Sequence, residues 1–237
     1  MNKIWIITKK ELRLFFDSLM AYIMLIAFLG FSGFFTWLYG ADIFLVGQAS
    51  LQTFFSIAFW TLFFFIPALT MRMVAEEQKS GTMELLLTKP ISVWQLVIGK
   101  YLATLLLVVF ALLLTLPYYL TIQTMGKVDH GAVVCGYLGL IFMSSVYIAI
   151  GLYASSVSNN QIVGFLLALF IGIFFHIIFD ALSGNFKGLS GQILAWFSMP
   201  AHFSSISRGV IDSKDLLFFG TLTYLGLFFT KERVAKH

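Results

Sequence analysis

The sequence predicts an all-α membrane protein with six transmembrane helices, and two observations support this prediction. Of the 237 residues, 59% are hydrophobic and only 11% are charged, with a mean hydropathy of +0.92. Soluble domains carry about 25% charged residues. Several apolar runs also approach or exceed the roughly 20 residues that a helix needs to cross hydrocarbon. We therefore expect one membrane domain over residues 1–237.

The first 17 residues have the pattern of an amphipathic helix that lies on the membrane surface. At 100° per residue, the large apolar side chains fall on one side and the charged side chains on the other. The apolar side holds Ile4, Trp5, Leu12, Phe15 and Phe16, and the opposite side holds Lys3, Lys10, Arg13 and Asp17. We expect residues 1–17 to form an interfacial helix before the first span.

Six apolar runs follow, at approximately 18–39, 51–74, 93–122, 132–155, 161–182 and 216–229. The last run is the shortest. An even number of crossings places both termini on the same side of the membrane. Pro67 and Pro117 lie inside predicted spans, where proline is expected to kink the helix.

The basic residues predict which side the termini occupy. Eleven of the 15 Lys and Arg residues precede the first span, flank the segment between the second and third spans, or follow the last span. They are Lys3, Lys9, Lys10, Arg13, Arg72, Lys79, Lys89, Lys100, Lys231, Arg233 and Lys236. Because cytoplasmic segments are enriched in Lys and Arg, both termini are predicted to be cytoplasmic. The net charge of +4 then reflects basic residues at the membrane boundaries, so we expect no nucleic-acid partner.

Residues 76–90, EEQKSGTMELLLTKP, form a charged segment between the second and third spans. Gly81 is predicted to cap a short helix with Glu84 at its third position, and Pro90 ends that helix. Ser92 and Gln95 match a second capping box, which restarts a helix leading into the third span. A helix of barely two turns is not stable alone in water. Its leucines therefore need the membrane interface or another protein.

This segment also carries a resemblance to a known family. The pattern Arg72-x-x-x-Glu76-Glu77-x-x-x-Gly81-Thr82-x-Glu84-x-Leu86-x-x-x-Pro90 resembles the ABC-2 type permeases, the membrane subunits of ATP-driven exporters. The resemblance implies that residues 76–90 are a coupling element that docks on a separate ABC ATPase subunit. The residues so implied are Glu76, Glu77, Gly81, Thr82, Glu84, Leu85, Leu86 and Pro90. We call residues 76–90 the coupling stretch. An ordinary solvated loop is the alternative interpretation.

The resemblance carries further expectations about partners and location. The sequence is most similar to the gliding-motility-associated permeases of Bacteroidetes, which implies the bacterial inner membrane. Two permease subunits, identical or related, are expected to form the pathway within the lipid bilayer. The sequence lacks G-x-x-x-x-G-K-[ST], the motif that cradles nucleotide phosphates. ATP and Mg are therefore expected in the partner subunit, with no cofactor, metal or catalytic residue in this chain.

A second class of function stays open on the sequence alone. Six spans also suit a membrane scaffold or an intramembrane enzyme that acts without an ATPase. Cys135 is the only cysteine, which excludes an internal disulfide, and we expect it to be inert.

Other polar residues give weaker hypotheses. Asn159 and Asn160, in a polar turn between the fourth and fifth spans, are candidates for a second ATPase contact. His176 and Asp180 stand four residues apart near the outer end of the fifth span. Either a proton relay or, as we favour, an interfacial hydrogen-bonded pair is expected there.

The middle of the outer segment 183–214 is too short to span the membrane but apolar enough to enter the bilayer from outside. It is predicted to form re-entrant or interfacial helices with a break near Pro200. A metal site is not expected there, because His202 has no partner at ligand spacing.

Overall fold

A computed structural model describes residues 3–38, 50–87, 90–186 and 188–236, without the side chains of Leu85 and Leu87. Helices account for most of these residues. The first seven are α1 Lys3–Asp17, α2 Met20–Trp37, α3 Gln52–Thr70, α4 Ala75–Lys79, α5 Thr82–Leu87, α6 Val93–Leu113 and α7 Leu116–Met125. Then come α8 His130–Val157, α9 Gln161–Ile173, a π-helical turn Phe174–Ile178, α10 Phe179–Asn185, α11 Leu189–Trp196, α12 Met199–Ser207 and α13 Ser213–Val234.

Within the described part of the chain, five helical segments are long and apolar enough to cross a membrane. They are Met20–Trp37, Gln52–Lys79, Val93–Met125, His130–Val157 and Gln161–Asn185. These segments confirm the all-α membrane fold and correspond to the first five predicted spans. The last predicted span, 216–229, lies inside the 22-residue helix α13. That helix is not among the five, and it carries Lys214, Asp215, Lys231 and Arg233 near its ends, so a sixth crossing stays a prediction.

The two prolines behave differently. Pro117 lies at the start of α7, just after Leu114 and Thr115 separate α7 from α6. Because proline has no N–H and its ring clashes with the carbonyl four residues back, it starts a helix more readily than it continues one. The helix of the third span is therefore interrupted just before Pro117. Pro67, by contrast, lies inside the continuous helix α3.

Helix α8 forms the centre of the bundle. It packs against α3, α6, α9, α12 and α13. Within an apolar 18-residue stretch of this helix, 67% of the residues are buried. Glycines let neighbouring elements approach its backbone. A Cβ atom at Gly136 would collide with the Phe55 ring, and one at Gly151 would collide with Thr70. Small residues at such contacts are typical of membrane helix packing, where close van der Waals contact replaces a hydrophobic driving force.

The segment after the π-helical turn is helical, as predicted. Helices α11 and α12 are separated at Phe197 and Ser198, and Pro200 lies in the first turn of α12. One contact here was not foreseen. Nδ1 of His202 lies 2.6 Å from Oδ1 of Asp215, and Nε2 lies 3.0 Å from the carbonyl oxygen of Trp196. The buried imidazole therefore ties α11 and α12 to the first turn of α13.

One end of the bundle gathers both termini, the coupling stretch and the polar turn at 158–160. Lys10 in α1 lies 3.8 Å from Glu77. Gln78 donates to the carbonyl oxygen of Ser156, which lies just before the polar turn. A cavity is lined jointly by Lys79, Asn160 and Arg233, and so joins α4, the polar turn and the end of α13. These contacts place on one side the segments that the charge pattern assigned to the same compartment.

Candidate functional site

The coupling stretch folds as two short helices rather than one. The chain continues beyond the second span into α4, Ala75–Lys79, which the sequence prediction missed. Gly81 then adopts φ +69° and starts α5, Thr82–Leu87. This left-handed conformation favours glycine, because it brings a Cβ close to the following carbonyl oxygen. The predicted helix start at Gly81 is therefore correct, and the residue also makes the turn between two helices.

Local hydrogen bonds hold this turn. The Ser80 hydroxyl donates to the carbonyl oxygen of Glu76 at 2.8 Å and lies 2.9 Å from the Thr82 hydroxyl. The Thr82 hydroxyl donates to the carbonyl oxygen of Glu77 at 3.3 Å. The Glu76 carbonyl also accepts from the Ser80 N–H, so these hydroxyls reinforce the end of α4 and its turn.

Lys100, in the third span, forms the polar centre of the site. Its side chain is 2% exposed. Its ammonium lies 2.8 Å from Oε1 of Glu77 and 3.3 Å from Oε1 of Glu11, and it donates to the carbonyl oxygen of Met73 at 2.8 Å. An ammonium has three N–H donors, so these three oxygens match its full capacity. Burial of a charge is tolerated when it is paired and hydrogen-bonded in this way.

The Lys100 contacts join three separate elements. Glu11 belongs to α1, Glu77 to the coupling stretch, and Lys100 to α6. Lys10, with a side chain 51% exposed, lies 3.6 Å from Glu11 and 3.8 Å from Glu77 at the rim. Two lysines thus face two glutamates, and the cluster is balanced in charge. Movement of the coupling stretch would disturb both the N-terminal helix and the third span.

Helix α1 also packs directly on the third span. Ile7 and Thr8 are buried, and the Thr8 hydroxyl lies 3.2 Å from the carbonyl oxygen of Gly99. A Cβ at Gly99 would meet the Ile7 side chain at 2.6 Å, so the glycine permits the close approach. Trp5 stays 45% exposed. The predicted amphipathic helix is therefore present, with Ile7 and Thr8 on its protein-facing side.

A second anchor joins the start of the coupling stretch to the fourth span. The hydroxyl of Ser155 accepts from the backbone N–H groups of Val74 and Ala75, each at 3.1 Å. It donates to the carbonyl oxygen of Met71 at 2.8 Å. Ser155 is fully buried, and its single hydroxyl connects the turn after α3 to α8. Lys100 thus holds Glu77 within the coupling stretch, and Ser155 holds the residues that lead into it.

An open cleft lies between α1 and the coupling stretch, with a volume of about 570 Å³. Its lining includes Lys10 and Leu14 on one side and Glu76 and Thr82 on the other, with Arg72 between them. Arg72 donates to the Ser18 hydroxyl. The cleft therefore presents both charged and apolar groups at the surface.

The structure divides the predicted docking residues into two groups. Glu76, Gly81, Thr82, Glu84 and Pro90 are exposed. Glu77 instead points into the Lys100 cluster, where its side chain is 15% exposed. Its carboxylate is therefore engaged within the chain.

The apolar residues of α5 also contact their own chain. Leu86 is partly buried and packs against the core, beside the buried Met83. The leucines of this helix were predicted to need the membrane interface or another protein. Leu86 packs at least partly against its own chain instead. Leu86 also lines the cleft. The side chain of Leu85 lies outside the described residues.

Both asparagines of the polar turn at 158–160 are exposed, and one of them also caps a helix. Asn160 caps α9, since its Oδ1 accepts from the N–H of Ile162 at 2.9 Å. Asn159 is exposed. Both line the cavity shared with Lys79 and Arg233. The two asparagines therefore lie on the same end of the bundle as the coupling stretch.

His176 and Asp180 have different partners, so the hydrogen bond favoured between them is not the arrangement found. Nδ1 of His176 lies 2.7 Å from the Tyr147 hydroxyl. Asp180 accepts from the Ser198 hydroxyl at 2.7 Å. The imidazole is 1% exposed and inserted among aromatic rings, whereas Asp180 lies at the surface. Inward packing of His176 thus separates it from Asp180.

Sequence reasoning missed Lys100, Glu11 and Ser155 as site residues. Lys100 was counted among the cytoplasmic charges, although it lies inside the span predicted at 93–122. A lysine within an apolar run is itself a signal of a function or a specific partner. Glu11 and Ser155 carry no comparable signal, because their role depends on contacts between elements distant in sequence. Among the described residues, no group of three or more His, Cys, Asp or Glu is placed to hold a metal ion.

Comparison with family models matches the chain to a transporter family. A family model described as "ABC-2 family transporter protein" matches residues 39–198, which is more than half of the chain. The matched region contains the whole coupling stretch and both anchors, Lys100 and Ser155. No curated protein matches the chain.

Proposed function

The chain belongs to the ABC-2 transporter family, and from this premise we propose that its coupling stretch docks on a separate ATPase subunit and drives export. The protein is a multi-pass membrane component of a transporter. ATP and Mg would be bound by the partner, because this chain has no phosphate-binding motif.

The observation that carries the proposal is the double anchoring of an exposed surface. Glu76, Thr82 and Glu84 are exposed, while Lys100 and Ser155 fix the backbone just before the stretch, at residues 71–75, to the third and fourth spans. An ordinary solvated loop needs no such fixation. A rigid element joined to two spans transmits the motion of a docked partner into those spans as a rigid-body movement. This geometry favours coupling over the scaffold or enzyme alternatives.

The exposed acids give the docking surface its chemistry. Glu76 and Glu84 lie on successive short helices and form no ion pair with the described residues. Lys10 and Arg72 lie across the cleft. We propose that the ATPase presents basic residues to the two glutamates and an apolar side chain to the cleft near Leu14. Asn159 and Asn160 would form a second contact at the same end of the bundle.

Charge reversal tests this docking. The chain would be co-expressed with the ATPase encoded by a neighbouring gene, and the ATPase that copurifies would be quantified. Glu76→Arg combined with Glu84→Arg should reduce copurification at least tenfold. The matched control is Lys127→Glu, an exposed charge at the opposite end of the bundle. Unchanged copurification of the double variant would refute the docking assignment.

A second permease subunit would pack on the fifth span. Only 22% of an apolar 18-residue stretch in Gln161–Asn185 is buried. The corresponding fraction in His130–Val157 is 67%. Val163, Leu166 and Phe170 are exposed along α9. This is the least covered of the five candidate spans, and we propose that a second copy of this chain covers it.

The cellular role follows from the sequence resemblance alone. We propose that the transporter resides in the bacterial inner membrane, with both termini cytoplasmic, and serves gliding motility. Deletion of the gene in a gliding bacterium should abolish colony spreading, and the wild-type gene should restore it. Normal spreading of the deletion strain would exclude this role and leave the docking proposal untouched.

A further inference from the structure

The buried pair of His202 and Asp215 connects α11 and α12 to the last helix of the bundle. His202 lies in α12 and is 4% exposed, and Asp215 lies in the first turn of α13 and is fully buried. The imidazole stacks on Phe218 of α13 with ring centroids 4.0 Å apart. Neither the coupling stretch nor its two anchors includes this pair, so its role lies outside the proposed docking.

Both nitrogens of the His202 imidazole face oxygen atoms that accept hydrogen bonds. Nε2 lies 3.0 Å from the carbonyl oxygen of Trp196, which can only accept, so Nε2 carries a proton. Nδ1 lies 2.6 Å from Oδ1 of Asp215, and a hydrogen bond there needs a second proton, on either the nitrogen or the oxygen. The pair therefore holds two protons in this arrangement, as imidazolium and carboxylate or as imidazole and carboxylic acid.

Loss of one proton disrupts this arrangement. If the remaining proton is on Nε2, the lone pair of Nδ1 faces the Asp215 carboxylate at 2.6 Å. If it is on Nδ1, the lone pair of Nε2 faces the Trp196 carbonyl oxygen. In both cases the carboxylate keeps its charge beside a neutral imidazole, and its Oδ2 atom has no hydrogen-bond partner among the described residues. A buried charge without a compensating partner is strongly unfavourable.

The other ionisable side chains on the packed elements do not contact the pair. Helix α11 contains none. Those on α6, α8, α10, α12 and α13 and in the π-helical turn form no hydrogen bond or ion pair with His202 or Asp215 in the part of the chain that the structure describes. Those nearest in sequence or on adjoining helix ends have partners of their own: Arg208 with Ser204, Lys214 with Asp212, Asp180 with Ser198, His176 with Tyr147, His130 with Tyr119 and Tyr137 with Thr115. Titration of the pair therefore depends chiefly on its own geometry.

We propose that His202 and Asp215 form a pH-sensitive latch, which is closed while the pair holds two protons and opens as the pH rises. In water, a free aspartate is ionised above about pH 4 and a free histidine is neutral above about pH 6.5, so the separated side chains then hold one proton. Opening therefore releases a proton above about pH 6.5, and by linkage the ratio of closed to open latch falls about tenfold for each further pH unit.

Opening of the latch frees α11 and α12 from α13. Between about pH 4 and 6.5 the separated side chains also hold two protons, so opening releases none and the latch is most stable there. In the proposed orientation, the pair responds to the pH on the outer side of the membrane. The latch itself depends on neither the docking of an ATPase nor the direction of transport.

Hydrogen exchange of the purified chain in lipid nanodiscs measures opening without the ATPase. Protection factors, which correct for the intrinsic effect of pH on exchange, would be measured for residues 199–207 at pH 6.5 and 8.5. Protection should fall at least tenfold over this range, because local opening controls the exchange of these amides. Residues 103–112 in α6 should keep their protection. Constant protection of residues 199–207 would overturn the proposal.

Asp215→Asn separates the latch from a general effect of pH. The asparagine amide can donate to Nδ1 of His202 while Nε2 still donates to Trp196, so the variant closes with a neutral imidazole and no ionisable partner. Protection of residues 199–207 should not fall in this variant between pH 6.5 and 8.5. His130→Gln removes a histidine outside the latch and should retain the wild-type fall. A fall in Asp215→Asn as large as in the wild type would also overturn the proposal.

Discussion

The ammonium of Lys100 in the third span lies 2.8 Å from the carboxylate of Glu77 in the coupling stretch. This ion pair crosses from a membrane helix to the segment proposed to meet the ATPase. Since Lys100 also contacts Glu11 in α1, one side chain connects three elements. The cluster is thus the mechanical junction on which the proposed coupling depends.

Removal of the Lys100 charge is expected to destabilise the protein strongly. Lys100→Met keeps the length of the side chain but leaves Glu11 and Glu77 with only the half-exposed Lys10, at 3.6 and 3.8 Å, to offset their charges among the described residues. Breaking a buried pair in this way costs about 3–5 kcal/mol. Thermal unfolding in detergent, followed by intrinsic fluorescence, should show a clearly lower midpoint.

Two further variants make that test specific. Lys100→Met with Glu77→Gln should recover part of the loss, because the orphaned carboxylate is gone. Lys127→Met, at an exposed lysine, should unfold like the wild type. If Lys100→Met unfolds at the same temperature as the wild type, the cluster does not hold α1, the coupling stretch and the third span together.

Ser155→Ala is expected to loosen the second anchor. Its hydroxyl serves the N–H groups of Val74 and Ala75, and loss of the acceptor leaves buried donors unsatisfied. The expected cost is about 1–3 kcal/mol. Hydrogen exchange should rise at residues 74–79, while Ser213→Ala, at an exposed serine, should leave that segment unaffected. If exchange at residues 74–79 does not change, the hydroxyl is not an anchor.

Gly81→Ala tests the turn between the two short helices. A Cβ at Gly81 would meet no atom within 4 Å, so the expected penalty comes from the backbone φ of +69° alone. The left-handed conformation costs a residue with a Cβ about 1–2 kcal/mol. Copurification of the ATPase should fall, and Gly81→Asn should be milder, because asparagine adopts this conformation more readily.

A matched glycine separates turn geometry from added bulk. Gly220 in α13 also has open space around a built Cβ, but its φ is not positive. Gly220→Ala should therefore leave copurification unchanged, since alanine is more stable than glycine inside a helix. If Gly81→Ala and Gly220→Ala change copurification equally, the positive φ of Gly81 does not explain the effect.

Cysteine crosslinking tests the proposed pairing of two copies. In a Cys135→Ser background, Leu166→Cys should form an intermolecular disulfide in membranes treated with a mild oxidant. Ile23→Cys in the first span, which is 65% exposed against 57% for Leu166, is the matched control and should form little. Equal crosslinking at both positions would indicate random collision rather than an interface at the fifth span.

The sequence predicted much of the fold because hydropathy and helix signals are local. The first five apolar runs became candidate spans, and Ser92 and Gln95 form the reciprocal capping box that their spacing indicated. The span predicted to kink at Pro117 is interrupted just before that residue, whereas α3 continues through Pro67. Local patterns predicted where helices begin. Whether a proline interrupts its helix, as before Pro117, or lies within it, as Pro67 does, was not evident from those patterns.

The site was only partly predictable, for a physical reason. Exposed residues such as Glu76 and Thr82 belong to a contiguous motif and could be found from spacing. Lys100 and Ser155 act through contacts with residues 23 and more positions away, which tertiary packing alone brings together. His202 illustrates the same limit, because its partner Asp215 lies 13 residues on, in another helix. Glu77 matched the motif, yet packing turned it toward Lys100.

The most direct test of the central claim is a contact measurement between the coupling stretch and the ATPase. A photo-crosslinking amino acid would be placed at exposed Thr82, and at exposed Lys127 as the control, in the co-expressed complex. We predict an adduct with the ATPase from position 82 and none from position 127, with a higher yield when nucleotide is bound. Absence of an adduct from position 82 in a complex that copurifies intact would contradict the account.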